Sequence, residues 1–169
     1  MSQQLEVWMR GPVAGIPTLL QPIAHALLQA QEEIHAHLKD FPASKIWDTP
    51  FDCASVAFHL QHISGVLDRL FTYAESKSLN EAQLTALAAE GKKQSHITMH
   101  SLLTALDAQI TISLAKLQST EEYALAVPRG IGRKQIPTTL GGLLFHSAEH
   151  TMRHTGQLIV TIKILKHQS

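Results

Sequence analysis

The sequence predicts an all-α four-helix bundle, and three observations carry that expectation. Four long segments repeat apolar residues at three- to four-residue spacing, the mark of a helix with one buried face. The 7 prolines among the 169 residues fall outside those segments or at their starts, where a ring without an N–H is tolerated. No segment alternates apolar and polar residues with comparable strength, so helices packing on helices have no competitor.

The first helix is expected from about Pro22 to Lys39, with Ile23, Ala26, Leu27, Ala30, Ile34 and Leu38 as its stripe, stopping before Asp40-Phe41-Pro42. A loop through Trp47-Asp48-Thr49-Pro50 leads to the second, about Cys53 to Ser76, where Val56, Leu60, Ile63, Leu67, Leu70 and Ala74 line up and Asp52 or Ser55 can cap. Residues Asn80 to Glu90 form a short connecting helix that ends at Gly91. The third long helix runs from about Ser95 to Ser119, with Met99, Leu103, Leu106, Ile110, Leu114 and Leu117 inward. Pro128, Gly130, Gly132 and Pro137 make Glu122 to Thr138 a loop with room for extended pieces. Thr138 or Thr139 then caps a fourth helix that continues to about Lys166. Residues 1–169 read as one domain, with residues 1–20 as an extended arm packed on the bundle; there is no internal repeat.

A chain of this length buries enough apolar surface to fold without disulfides or a structural metal, so any metal is free to be functional. Lysine plus arginine equals aspartate plus glutamate at 14 each, which argues against nucleic acid or an anionic membrane as partner. No apolar run is long enough to span a bilayer and no leader stands at the N-terminus, so a soluble, cytoplasmic protein is expected. The single cysteine, Cys53, forms no intrachain disulfide; it reads as a small buried side chain rather than an activated thiol in a helix's first turn.

The 11 histidines are many for this length. Three of them, His146, His150 and His154, stand at four-residue intervals on the fourth helix, so their rings stack on one face. Relative to His150, the other two lie about 40° to either side, in a sector shared with Leu143, Ser147, Gln157 and Thr161. The apolar stripe of Leu144, Met152, Ile159 and Ile162 lies further round, which places the histidine row on a partly open seam. A neutral imidazole pair at i and i+4 reaches one divalent ion, zinc, nickel, iron or copper. A catalytic divalent site needs a third ligand, and the second helix offers His59 and His62; geometry favours His62 only slightly.

Trp47-x-x-Pro50, Ser55 and Leu60-Gln61-His62-Ile63, followed at the C-terminal end by His150-x-x-x-His154-x-Gly156-Gln157, resemble the DinB/YfiT-like family of metal-dependent bundle proteins. The resemblance covers most of the chain in order and spacing. It implies up-down-down-up connectivity with a long crossover, for which residues 77–94 are available. It also implies that His62, His150 and His154 hold the ion, with zinc or nickel favoured. The implied chemistry is thiol-dependent: transfer or isomerisation of a small-molecule substrate with mycothiol, bacillithiol or a related low-molecular-weight thiol, often by a homodimer. Arg153 and Thr155 stand where the family often has a second histidine and an arginine around the last ligand, as in HxxHHRGQ, and the ligand positions survive that change.

The physical chemistry is consistent with either of two reactions. A site built only of histidines leaves the ion cationic, so a bound thiol is held as thiolate, or a bound water is activated. Thr151 occupies the place of the glutamate in HExxH, which excludes a zincin-type peptidase. His146 reads as a pocket residue rather than a ligand, and the second HxxxH pair, His96 and His100, as surface or pocket residues. The basic run Arg129 to Lys134 reads as a solvated loop rather than an anion clamp, and Glu149 with Arg153 as a surface ion pair. Gln157 stands one turn from His154, where it can bond a ligand imidazole or join helices. The expectation is a metal-dependent enzyme; the alternative is a non-catalytic metal-binding or structural bundle.

Overall fold

Capping side chains set where four of the five α-helices of the computed structural model begin, which describes residues 5–168. α1 (Gln21–Leu38) carries Pro22 in its first turn, where no hydrogen bond is lost. α2 (Val56–Ala74) starts three residues later than Cys53, because the Ser55 hydroxyl accepts the N–H of Phe58 at 3.1 Å. Ahead of that cap, Phe51 and Asp52 take left-handed φ values of 51° and 59° and turn the chain sharply. α3 (Glu81–Ala89) opens with a reciprocal cap between Asn80 and Gln83. α4 (Met99–Gln118) opens with another between Thr98 and Ser101, so it starts four residues after Ser95. Thr139 caps α5 (Leu140–His167) by accepting from the N–H of Gly142 at 3.0 Å.

The segment expected as a loop is more ordered than the breakers suggest. A short 3-10 turn, Glu122–Ala126, precedes an antiparallel hairpin of β1 (Pro128–Ile131) and β2 (Ile136–Thr139), paired Ile131 to Ile136 at its tip. Gly132 and Gln135 supply the positive φ that the turn requires. At the N-terminus, the described part of the arm is made of 3-10 turns at Val7–Arg10 and Thr18–Leu20 rather than extended chain, and it buries Val7 and Ile16. Residues 1–4 of that arm lie outside the described residues.

The four long helices pack side by side, α2 against α5 and α4, and α1 against α5 and α4. Along α2 and α5 the partners run in opposite order: Ala54 meets Thr161, His59 meets His154, and His62 meets His150. α4 follows α2 in the same sense, since Glu75 at the end of α2 pairs with Lys116 near the end of α4. α1 opposes α4, with Gln31 and His35 on Asp107 and the Leu19 N–H on Glu122. Ala24, Leu27 and Ile34 of α1, Leu60, Ile63 and Leu67 of α2, and Leu106, Leu117 and Leu158 have no exposed surface, and together they form one core. Each fully buried leucine or isoleucine contributes about 1.5–3 kcal/mol by leaving water.

α2 is the most enclosed element, burying Ala57, His59, Val66, Arg69 and Phe71 beyond the expected stripe. On α4, Leu102 and Ser113 are buried while Met99, Leu103 and Leu114 are only half-buried. On α5 the buried face holds Ser147, Thr151, Thr155 and Thr161 with the leucines, whereas Met152 and Ile159 are half-buried. Small hydroxyl side chains let α5 approach its neighbours closely, and Ser147 and Thr155 return their hydroxyl protons to carbonyls of their own helix at 2.6 and 2.8 Å. α3 buries none of its residues and is tied to α2 by Gln83, which donates to Asp68 and Thr72 at 2.8 Å each. Among the described residues, no helix is long and apolar enough to cross a membrane.

Candidate metal centre

His62 stands two turns into α2, one turn beyond His59, while His150 and His154 stand one turn apart near the middle of α5. The opposed sense of the two helices brings them level. His62, His150 and His154 each offer a ring nitrogen, and these three nitrogens lie within 4.8 Å of one another. Nε2 of His62 and Nε2 of His150 are 2.9 Å apart. The ring centroids of His62 and His154 are separated by 4.3 Å, and those of His150 and His154 by 4.6 Å. Of the two histidines on α2, it is therefore His62 that joins the pair on α5; His59 belongs to no such set among the described residues.

The protonation pattern follows from the hydrogen bonds. Nδ1 of His62 donates to Oε2 of Glu90 at 2.7 Å, so the neutral form of this ring carries its lone pair on Nε2. Oε1 of the same carboxylate accepts from Arg69 at 2.6 Å, and the two side chains of that ion pair are 10% and 9% exposed, so each charge depends on the other. Burial alone raises the Glu90 carboxyl, but its hydrogen bonds to His62 and Arg69 and their charges outweigh burial, and the group lies below its ordinary value. His62 stacks on Phe58 with centroids 5.2 Å apart. On the far side, Nδ1 of His59 lies 3.1 Å from Nδ1 of His154.

Burial, assisted by the neighbouring His62, pushes His59 down to about 4. Burial also brings His154 down to about 4, with His62 and His150 adding to it, and His150 is lowered by burial and then by His62 and His146. These rings are consequently neutral near pH 7, the form in which imidazole ligates. Among the described residues, Nδ1 of His150 is buried without a hydrogen-bond partner, as is the Thr151 hydroxyl. Three imidazoles, one of them already donating to a carboxylate, make a donor set that suits a first-row divalent ion.

Several expected residues fall elsewhere. The His146 side chain is 47% exposed and its Nδ1 donates to Glu149 at 2.6 Å. His146, Glu149 and His150 form a second set of close donors along α5, but Glu149 is also held by Arg153 at 2.8 Å, the expected surface ion pair. His96 and His100 are both exposed and belong to neither set. The basic run lies in the hairpin: Arg129 donates to the carbonyl of Ala74 at 2.6 Å, at the opposite end of α2 from the histidines. Arg133 borders a separate cleft there of about 580 Å³, with Tyr73 and Leu84.

Cys53 is exposed, contrary to the buried role expected of it, because it precedes the cap of α2 instead of lying inside the helix. With His59, Met152, Arg153, Gly156 and Gln157 it lines a cavity of about 640 Å³ beside the histidine cluster. Gln157 is exposed and faces that cavity rather than joining two helices. Glu90 and Arg69 were not expected at the site. Arg69 stands seven residues after His62 and so shares its face of α2, but no spacing rule ties Glu90, at the end of a connector, to either.

Comparison with known proteins agrees with this architecture. No curated protein matches the chain. A solved structure of a conserved protein from Enterococcus faecalis superposes with a TM-score of 0.69 over 87% of this chain and 96% of that one, at 17% identity, which shows a shared fold. The profile of the DinB superfamily matches residues 26–158, a span that includes α2, the connector and both His150 and His154 of α5, and the chain belongs to that superfamily.

Proposed function

We propose that this chain is a metal-dependent enzyme in which His62, His150 and His154 hold one divalent ion, zinc or nickel. The observation that carries the proposal is the convergence of three imidazoles from α2 and α5, their ring nitrogens within 4.8 Å of one another, with His62 backed by the buried Glu90 carboxylate. Once bound, an ion held by imidazoles alone supplies a cationic position at which a low-molecular-weight thiol is kept as thiolate or a water is activated. The reaction proposed is transfer, isomerisation or hydrolysis of a small-molecule substrate, and the cavity beside His59 gives such a substrate room. The up-down-down-up connectivity implied by the family belongs to the same proposal and is supported by the sense in which the helix pairs run. So do a single domain over the whole chain, a homodimer and a cytoplasmic location.

Elemental analysis of purified protein tests the ligand assignment. Near-stoichiometric metal is expected in the parent, and a large loss in His62→Ala and in His150→Ala. Full retention of metal by both variants would defeat it.

A further inference from the structure

We infer that His59 is a positioning residue: its Nδ1 accepts the Nδ1–H of His154 and so holds His154 with Nε2 free toward the ion. The inference rests on the proposed ligation by His62, His150 and His154. Its geometric basis is the 3.1 Å contact between the two Nδ1 atoms, with the rings tilted 51° and their centroids 5.3 Å apart, a hydrogen-bonded rather than a stacked pair.

An N···N contact of this length holds a single proton, so the two rings cannot choose their tautomers independently. If His59 donates, the neutral His154 carries its own proton on Nε2 and has no lone pair to offer there. If His154 donates, its Nε2 is bare and available. Only the second arrangement permits ligation through Nε2. His62 already shows the same pattern one turn further along α2, with Nδ1 committed to Glu90 and Nε2 directed at His150. His59 thus does for the α5 ligand what the carboxylate does for the α2 ligand. Its 3% exposure limits the water that can compete for that proton.

The test uses the full chain labelled with ¹⁵N-histidine, read by long-range ¹⁵N–¹H correlation and by zinc competition against a chelating indicator. In the unaltered protein His154 is expected to carry its proton on Nδ1, with and without zinc. His59→Leu is expected to mix the tautomers of His154 in the zinc-free protein and to weaken zinc binding about 10- to 100-fold. His59→Asn places an acceptor oxygen where Nδ1 stood and is expected to restore affinity to within a few-fold. Unchanged affinity and tautomer in His59→Leu overturn the inference, and so does a His59→Asn variant as weak as His59→Leu. If His59→Leu does not fold, a His154 proton found on Nε2 in the unaltered protein overturns it. Absence of zinc binding by the unaltered protein would instead bring down the ligand assignment itself, a distinct result.

Discussion

Acidification should destabilise the metal-free protein through His59, and the size of the effect follows from burial. In the folded chain this ring is 3% exposed and its pKa lies at about 4. Unfolding returns it to water and to about 6.5. Above 6.5 both states are neutral and the ring contributes nothing that varies with pH. As pH falls below 6.5 the unfolded chain takes up the proton first, so stability is lost progressively until the folded pKa is reached. At about 1.4 kcal/mol per pH unit the complete loss is about 3 kcal/mol, of which about 2 has gone by pH 5. His154 adds to the same trend, reduced by its partial exposure. Against the roughly 5–15 kcal/mol of a typical domain the change is large enough to read from urea unfolding followed by the fluorescence of Trp8 and Trp47. With chelator present, the parent should lose stability steeply between pH 6.5 and 4.5. His59→Leu should lose about 2 kcal/mol less over the step to pH 5. Parallel pH profiles for the two proteins would refute the argument, because the difference between them isolates the buried ring.

Three further outcomes test how the site is supported. Glu90→Gln removes the acceptor charge behind His62 and leaves Arg69 without its partner, so zinc affinity should fall about 10- to 100-fold in a competition titration. A Cβ added at Gly65 would come within 2.6 Å of both the Arg69 guanidinium and the Glu90 carboxylate. Gly65→Ala should therefore weaken zinc binding, even though alanine favours a helix by up to about 1 kcal/mol; unchanged affinity would show that the ion pair shifts without consequence. Leu27 has no exposed surface in the core of α1, so Leu27→Ala should cost about 2–5 kcal/mol in urea unfolding while the histidine cluster keeps its affinity.

Most of the fold was legible because its determinants are local. The stripes on α1 and α2 follow from side-chain spacing alone, and Ser55 and Thr139 were readable as caps because one hydroxyl satisfies one nearby N–H. What escaped was decided partly by one local bond and partly between elements. The reciprocal bond between Thr98 and Ser101 sets the start of α4 four residues after Ser95. Pro128 and Pro137 mark breaks in a helix, yet both sit in short edge strands, where a missing N–H costs nothing on the solvent side. On α5, polarity was a poor guide to direction: Thr151 and Thr155 are buried at 1% and 0% exposure because close helix contact favours small side chains over the bulk of Met152.

The candidate site divides along the same line. A pair at i and i+4 is visible in any sequence, and the choice between His59 and His62 was narrow because both project toward α5. Helix sense resolved it: level with His150 stands His62, and level with His154 stands His59. Glu90 was beyond reach because its meaning depends on where a connector lies. α3 buries nothing of its own, so apolar packing does not hold it in place. Its last turn is held by a carboxylate that accepts from Arg69 and His62 together in a pocket from which water is largely excluded, and either donor alone would leave that charge poorly matched. The element that looks most like a passive crossover is thus pinned at the height of the histidines. Loosening it should be felt at His62 before it is felt in the core.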